Sequence, residues 1–307
     1  MTGWTATILT CAGENAKPKR RLWHLTAMSG LRSGILLILS SPAFCQTVNV
    51  PDIVQRATAA LQSDWAADAK YACIEKDETR RGAKVTSKTF EVVMIDGSEY
   101  HFPLAVDGQN LTPDQRRQEL AKLGEEIRKR RGEGAPERAR RIERWKKERD
   151  ENGELLLDFP VAFNFQFVRE ETKDGHAAWV LAATPKEGFP QDTRARKVLA
   201  GMRGTAWVEK ETFHPIYVRC EVVKPVPVFG NLASVLPGTQ IDISMTPVAS
   251  STPSVNIWLI DLVSMNLDVA KLHMFKSVET TRSAYTQYKL NGPALEELLA
   301  EARSTAK

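Results

Sequence analysis

Across residues 51–65 the apolar positions Ile53, Val54, Ala57, Ala60 and Leu61 recur at three- and four-residue intervals, the stripe of an amphipathic helix. Pro51 suits its first turn, where the backbone donor is not needed. Strand-like text follows at about 71–77 and 85–96, with a turn around Arg81-Gly82 between them. Asp107-Gly108 is a further turn signal. Thr112-Pro113-Asp114 then opens a charged helix, with Thr112 as N-cap and a thin apolar stripe of Leu120, Leu123 and Ile127. Gly132-Glu133-Gly134-Ala135-Pro136 interrupts it, and a second charged helix is expected over 137–149.

Asn152-Gly153 reads as a turn into β structure. Val161, Phe163, Phe165 and Phe167 then alternate with Ala162, Asn164 and Gln166, the clearest period-two signal in the chain. Asp174-Gly175 joins this strand to a partner at 176–183. A short helix is expected at 194–202, strands at 204–209, 216–223, 239–247, 256–266 and 271–290, and a closing helix at 293–302. This order predicts an α+β fold. It is a large curved antiparallel sheet, an unclosed half-barrel, covered by helices and carrying a charged helical hairpin at about 112–150. A sheet of that length tends to curl, and a concave face lined by aromatic side chains suits an apolar ligand.

The first 45 residues read differently. Lys17, Lys19, Arg20, Arg21 and Arg32 precede the short apolar run Ile35-Leu36-Leu37-Ile38-Leu39, then Ala43-Phe44-Cys45 and Gln46. These are the parts of a secretory signal peptide. Residues 1–45 are therefore expected to be a leader, with Met1 or Met28 as the start. A single domain, 46–307, is expected to work in the periplasm or otherwise outside the cytoplasm. An uncleaved anchor and a lipidated Cys45 are the other readings of the same text. Five of the 42 basic residues and one of the 38 acidic residues lie in this leader, which leaves 37 of each and no net basic charge to attract nucleic acid.

The rest of the chain carries little recognisable chemistry. His101, His176, His214 and His273 form no metal-ligand spacing, and there is no Gly-x-Ser-x-Gly elbow and no phosphate loop. Glu170, Glu209 and Glu221 occupy strand positions where a pair of carboxylates would serve a hydrolase, although surface carboxylates are commoner. Neither an enzyme nor a cofactor is expected. Cys73 and Cys220 lie in strand-like text and are open to a disulfide or to two buried thiols. From 112 to 150, 14 basic and 9 acidic residues are interspersed, as on a solvated helical hairpin with ion pairs one turn apart.

The segment Gly204-Thr205-Ala206-Trp207-Val208-Glu209, its turn, and the return Phe213-His214-Pro215-Ile216-Tyr217-Val218 resemble a strand-turn-strand of bacterial periplasmic lipoprotein-carrier-like proteins. That resemblance implies an unclosed half-barrel with a helical lid and a hydrophobic cavity that takes the acyl chains of lipids or lipoproteins. On this reading Phe163, Phe165, Phe167, Trp179, Leu181 and Trp207 line the cavity. The charged hairpin then acts as a lid or as a docking surface for a membrane-bound envelope partner. The contrasting reading is a non-catalytic structural or sensory envelope module that uses the same sheet to grip another protein.

Overall fold

The protein is described here from a computed structural model covering residues 48–228, 233–249, 257–271 and 275–305. The expected leader with its Met1 or Met28 start, Cys45, Gln46 and His273 lie outside these residues. The chain opens with helix α1 (Val50–Asp68) and strands β1 (Tyr71–Arg81), β2 (Lys84–Ile95), β3 (Ser98–Val106) and β4 (Gln109–Asn110). Helices α2 (Pro113–Gly132) and α3 (Ala135–Ala162) lead to β5 (Phe163–Lys173) and β6 (His176–Pro185). Helix α4 (Arg194–Leu199) precedes β7 (Met202–Glu209), β8 (Pro215–Val222), β9 (Val226–Val228) and β10 (Ala233–Val235). Strands β11 (Gln240–Val248), β12 (Ile257–Lys271) and β13 (Phe275–Leu290) and helix α5 (Asn291–Thr305) complete the chain.

The strands form one unclosed antiparallel sheet in the order β4-β3-β2-β1-β13-β12-β11-β8-β7-β6-β5, with β10 paired to β12 and β9 to β10. The first and last long strands pair with each other, Tyr71 opposite Leu290 and Arg81 opposite Glu279. Helices α2 and α3 therefore connect the two edges of the sheet, β4 and β5. Three hairpins turn on Asp-Gly pairs, Asp96-Gly97, Asp107-Gly108 and Asp174-Gly175, with positive φ at both residues of each. Two-residue turns of this kind match the twist of the strands they join. The first of these turns, and strand β3 beyond it, were not legible in the alternation of the sequence.

Register and alternation separate two faces, because residues paired across strands share a face and neighbours along a strand do not. On the front face, Val218, Ile243 and Val263 lie in one row across β8, β11 and β12. That row continues into Ser283 of β13, Asp77 of β1 and Lys88 of β2. The larger core lies on the front of β5–β8, β11 and β12, under α1 and the C-terminal part of α3. The smaller core lies on the back of β1–β3, where Ala72, Val93, Ile95 and Phe102 meet Leu120, Leu123 and Ile127 of α2 and Ala294 and Leu298 of α5.

The two charged helices do not pack along each other as the expected hairpin, since α2 lies against α5 and α3 against α1 and α4, but each is held at defined points. Thr112 Oγ1 accepts from the Gln115 amide at 3.3 Å while Gln115 Oε1 accepts from the Thr112 amide at 2.8 Å, a closed capping box. Arg130, buried, donates to the carbonyls of Ile95 at 2.8 Å and Ser98 at 2.9 Å, and to Glu126 at 2.7 Å. Arg141 of α3 donates to Ser98 Oγ at 2.6 Å and the Asp96 carbonyl at 3.1 Å, and pairs with Glu133. One arginine from each helix thus grips the β2–β3 turn.

The expected turn at Asn152-Gly153 is instead the interior of α3, which runs on to Ala162. A Cβ on Gly153 would stand 2.5 Å from two ring carbons of Trp65, so a residue that weakens the helix lets α1 and α3 pack closely. Burial of Leu156, Phe159 and Ala162 carries the helix past the glycine.

Candidate functional site

Two stretches of the front face are candidates. The first is the aromatic surface named from sequence. Phe163, Phe165 and Phe167 do alternate on it, opposite Pro185, Ala183 and Leu181 of β6. Phe163 is 1% exposed and packs on Phe159 with ring centroids 4.7 Å apart, while Phe165 meets Phe159 edge-on at 5.6 Å. Leu181 is buried beneath α1 and α3. Trp179 sits at the rim, half-buried against Phe213 at 5.2 Å, and Arg56 of α1 covers Phe213 at 3.3 Å. Phe167 is 39% exposed at the sheet edge.

Trp207 departs from the expected set. It pairs with Val180, so it points to the back face, where its Nε1 donates to Glu171 and its ring meets Tyr217 at 5.0 Å. Trp179 and Trp207 lie one position out of register, and that single step puts them on opposite faces.

The interior between α1, α3 and the sheet is nearly full. The void lined by Leu61, Phe159, Phe165, Leu181 and Val208 has a volume of about 30 Å³, and one beneath α3 about 10 Å³. That is space for a water molecule or two, far below the roughly 300–1,000 Å³ of ligand pockets. Phe159 is the main plug: a Cβ on Gly204 would stand 2.8 Å from its ring, so the ring lies directly on the backbone of β7.

Polar contacts fasten α1 over this surface. Asp64, buried, faces His214 Nε2 at 3.2 Å, and His214 stacks on Trp258 at 5.8 Å, with His176 edge-on to Trp258 at 4.8 Å. At its C-terminal end, Arg149 of α3 donates to the Trp65 carbonyl and lies over the Trp65 ring at 4.0 Å.

The second stretch was missed from sequence. It is a ladder of polar side chains on the front of β1 and β13, where Glu75 pairs with Tyr285, Asp77 with Ser283 and Arg81 with Glu279. Ser283 Oγ donates to Asp77 at 2.5 Å, and Arg81 donates to Glu279. His101 of β3 lies between Glu75, 3.1 Å from Nδ1, and Glu99, 3.5 Å from Nε2. Met265 and Leu267 of β12 form an apolar rail alongside, paired with Thr281 and Glu279. Glu75 and Glu279 are buried, whereas Asp77, Thr281 and Met265 are partly exposed, so only part of the ladder reaches solvent. The signal available in sequence was the alternation Cys73, Glu75, Asp77, which reads as acidic on one face.

The charges of the ladder are fixed by their surroundings. Burial alone would lower the His101 pKa, but the hydrogen bonds and charges of Glu75 and Glu99 prevail and raise it to about 10. Such an imidazole stays protonated at neutral pH and takes up no further proton, so it is a fixed cation rather than a base. Burial, then the charge of Glu75, raises Asp77 against the pull of its Ser283 bond.

The three candidate carboxylates are each engaged singly. Against burial, Glu209 accepts from the Thr212 hydroxyl at 2.7 Å and from the amides of Thr212 at 2.6 Å and Glu211 at 2.9 Å, and these bonds hold it below the usual carboxylate range. Glu170 faces Lys210 at 2.7 Å and Glu221 faces Arg203 at 2.8 Å. Among the described residues no group of three or more His, Cys, Asp or Glu side chains is arranged to hold a metal ion. No described helix is long and apolar enough to cross a membrane.

The disulfide reading is corrected. Cys73 and Cys220 are both free thiols. They sit on β1 and β8 with β13, β12 and β11 between them, four strand spacings or roughly 19 Å along the sheet. A disulfide needs Cα atoms within about 7 Å. Burial pushes both thiols up, Cys220 to about 12.

No family profile and no curated protein matches the chain. Among solved structures, the chain is similar to a Vibrio parahaemolyticus domain described as an outer membrane lipoprotein-sorting protein. The identity is 10% and the TM-score 0.34, over 77% of this chain and 93% of that one. It is similar to a DUF1329 family protein of Desulfovibrio piger, at 13% identity and TM-score 0.35, over 80% and 94%. It is also similar to a LolA superfamily protein of Nitrosomonas europaea, at 12% and 0.33, over 80% and 94%. These values describe a distant likeness in the course of the backbone.

Proposed function

We propose that this chain is a non-catalytic interaction module of the bacterial envelope, exported by its leader, which uses its sheet to hold another protein. The supporting observation is the filled front face. With about 30 Å³ between α1, α3 and the sheet, an acyl chain has no room without displacing Phe159 or lifting α1. The burial of methylenes, at about 0.8 kcal/mol each, would have driven such binding, and here the protein's own side chains take up that burial. The polar ladder beside the apolar rail is the kind of mixed surface that suits a polypeptide better than a lipid tail.

The test is native mass spectrometry of the chain produced with its leader in a bacterial periplasm and purified without detergent. The expected spectrum is the bare mass of a chain cut near Gln46, unchanged after incubation with phospholipid vesicles. A copurified mass of several hundred daltons that is lost in Leu181→Asp, with folding retained, overturns the proposal in favour of acyl-chain binding. An uncut chain removes the export part of the reading.

A further inference from the structure

The two edges of the sheet are finished differently. At one, the edge ends in the two-residue β4, and Arg130 of α2 and Arg141 of α3 fasten the two helices to the neighbouring β2–β3 turn. At the other, β5 is a strand of 11 residues with β6 as its single neighbour among the described residues. Proteins commonly blunt such an edge with charges or a bulge, because its unpaired backbone groups invite another strand.

Only half of β5 is blunted. The register skips between Phe167 and Arg169, so Val168 is the extra residue of a bulge. Beyond it Arg169 pairs with Glu171, Glu170 with Lys210 and Lys173 with Asp174. Before it, residues 161–168 contain no charged side chain. Within that segment Val161 is 51% exposed, Phe167 39% and Val168 50%, and Asn164 and Gln166 are also exposed.

We propose that residues 163–168 of β5 accept an extended segment of a partner polypeptide, which adds to the sheet as a further strand. The edge itself specifies the occupant. A row of backbone donors and acceptors is satisfied along its length by another extended backbone, not by an acyl chain or a helix. The absence of charge on 161–168 selects a neutral segment, and Phe165 and Phe167 on the front face select apolar side chains at alternate positions. This inference rests on the interaction reading above and adds a contact at the β5 edge, apart from the ladder on β1 and β13.

The test uses the exported chain and a fluorescein-labelled nine-residue peptide alternating valine and threonine, with terminal lysines for solubility. Saturable binding is expected in fluorescence anisotropy, together with slowed hydrogen exchange at the amides of 164–168. Binding should weaken at least tenfold in Val168→Lys and in Gln166→Lys, both exposed positions, with unchanged melting temperature. A peptide N-methylated at every central residue should not bind. No binding to the wild-type chain overturns the proposal, as does binding that survives N-methylation or either lysine. A dimer abolished by Val168→Lys also overturns it, by assigning the edge to a second copy of this chain. A bare mass in the lipid experiment combined with any of these results rejects this inference alone. A copurified lipid rejects the reading beneath it.

Discussion

The two halves of the sheet bury opposite faces. From β5 to β12 the front face is apolar and covered by α1 and α3, whereas from β1 to β3 the back face is apolar and covered by α2 and α5. One row across the sheet shows the change, running Val218, Ile243, Val263, Ser283, Asp77, Lys88. Strand alternation alone does not say which face becomes core. The placement of the helices decides it, and the seam at β13 and β1 is where polar residues such as Asp77 and Ser283 reach the front. The half covered by α1 and α3 is filled on its front face, and the half with solvent on its front face is polar.

The contrast can be broken most severely at Phe159. Phe159→Ala should cost about 3–5 kcal/mol in denaturant unfolding, as for large-to-small core changes. If the lining does not collapse, the variant should also bind a fluorescent fatty acid that the wild type ignores. Arg130→Met tests the other half. It leaves the Ile95 and Ser98 carbonyls without their charged donor and should cost about 2–3 kcal/mol. Hydrogen exchange should then accelerate in β2 and β3 but not in β6–β8; equal acceleration in both would mean that the halves do not open separately. Gly153→Ala drives a methyl group into Trp65 and should cost about 1–3 kcal/mol by overpacking, visible as a lowered melting temperature that Trp65→Leu partly restores.

The smallest effect concerns the seam. Partners raise His101 from 6.5 to about 10, so its stabilising contribution is complete below pH 6.5 and disappears as pH rises through 10. The stability difference between wild type and His101→Gln should shrink over that window. A difference that stays flat from pH 6 to 10 would remove the paired imidazole from the account.

Much of the architecture was legible, for identifiable reasons. Ile53, Ala57 and Leu61 fall on the buried side of α1 as their spacing requires, and the Thr112 cap and two of the Asp-Gly turns stand where read. Phe163, Phe165 and Phe167 share one face as their alternation predicts. What failed were features that depend on distant partners. Gly153 reads as a turn until Trp65 is seen against it, and Trp207 joins Trp179 until cross-strand pairing separates them. Arg130 and Arg141 look like members of a solvated charge run, yet both are fastened to a turn more than thirty residues earlier in the chain. The Glu75–His101–Glu99 cluster joins β1 and β3, and no local spacing announces it.

The seam also sets an order of events in making the protein. Arg81 and Glu279, partners across it, are 198 residues apart in sequence. A chain synthesised from its N-terminus holds β1 with an open flank until its last strand emerges. Contacts of such separation form slowly, and unpaired strands meanwhile are prone to aggregate. The export proposed above, if it carries the chain unfolded, would postpone that hazard until the whole polypeptide is present. A truncation that removes β13 would be more damaging than its position near the C-terminus suggests, because it would split one sheet into two, each with a newly exposed edge.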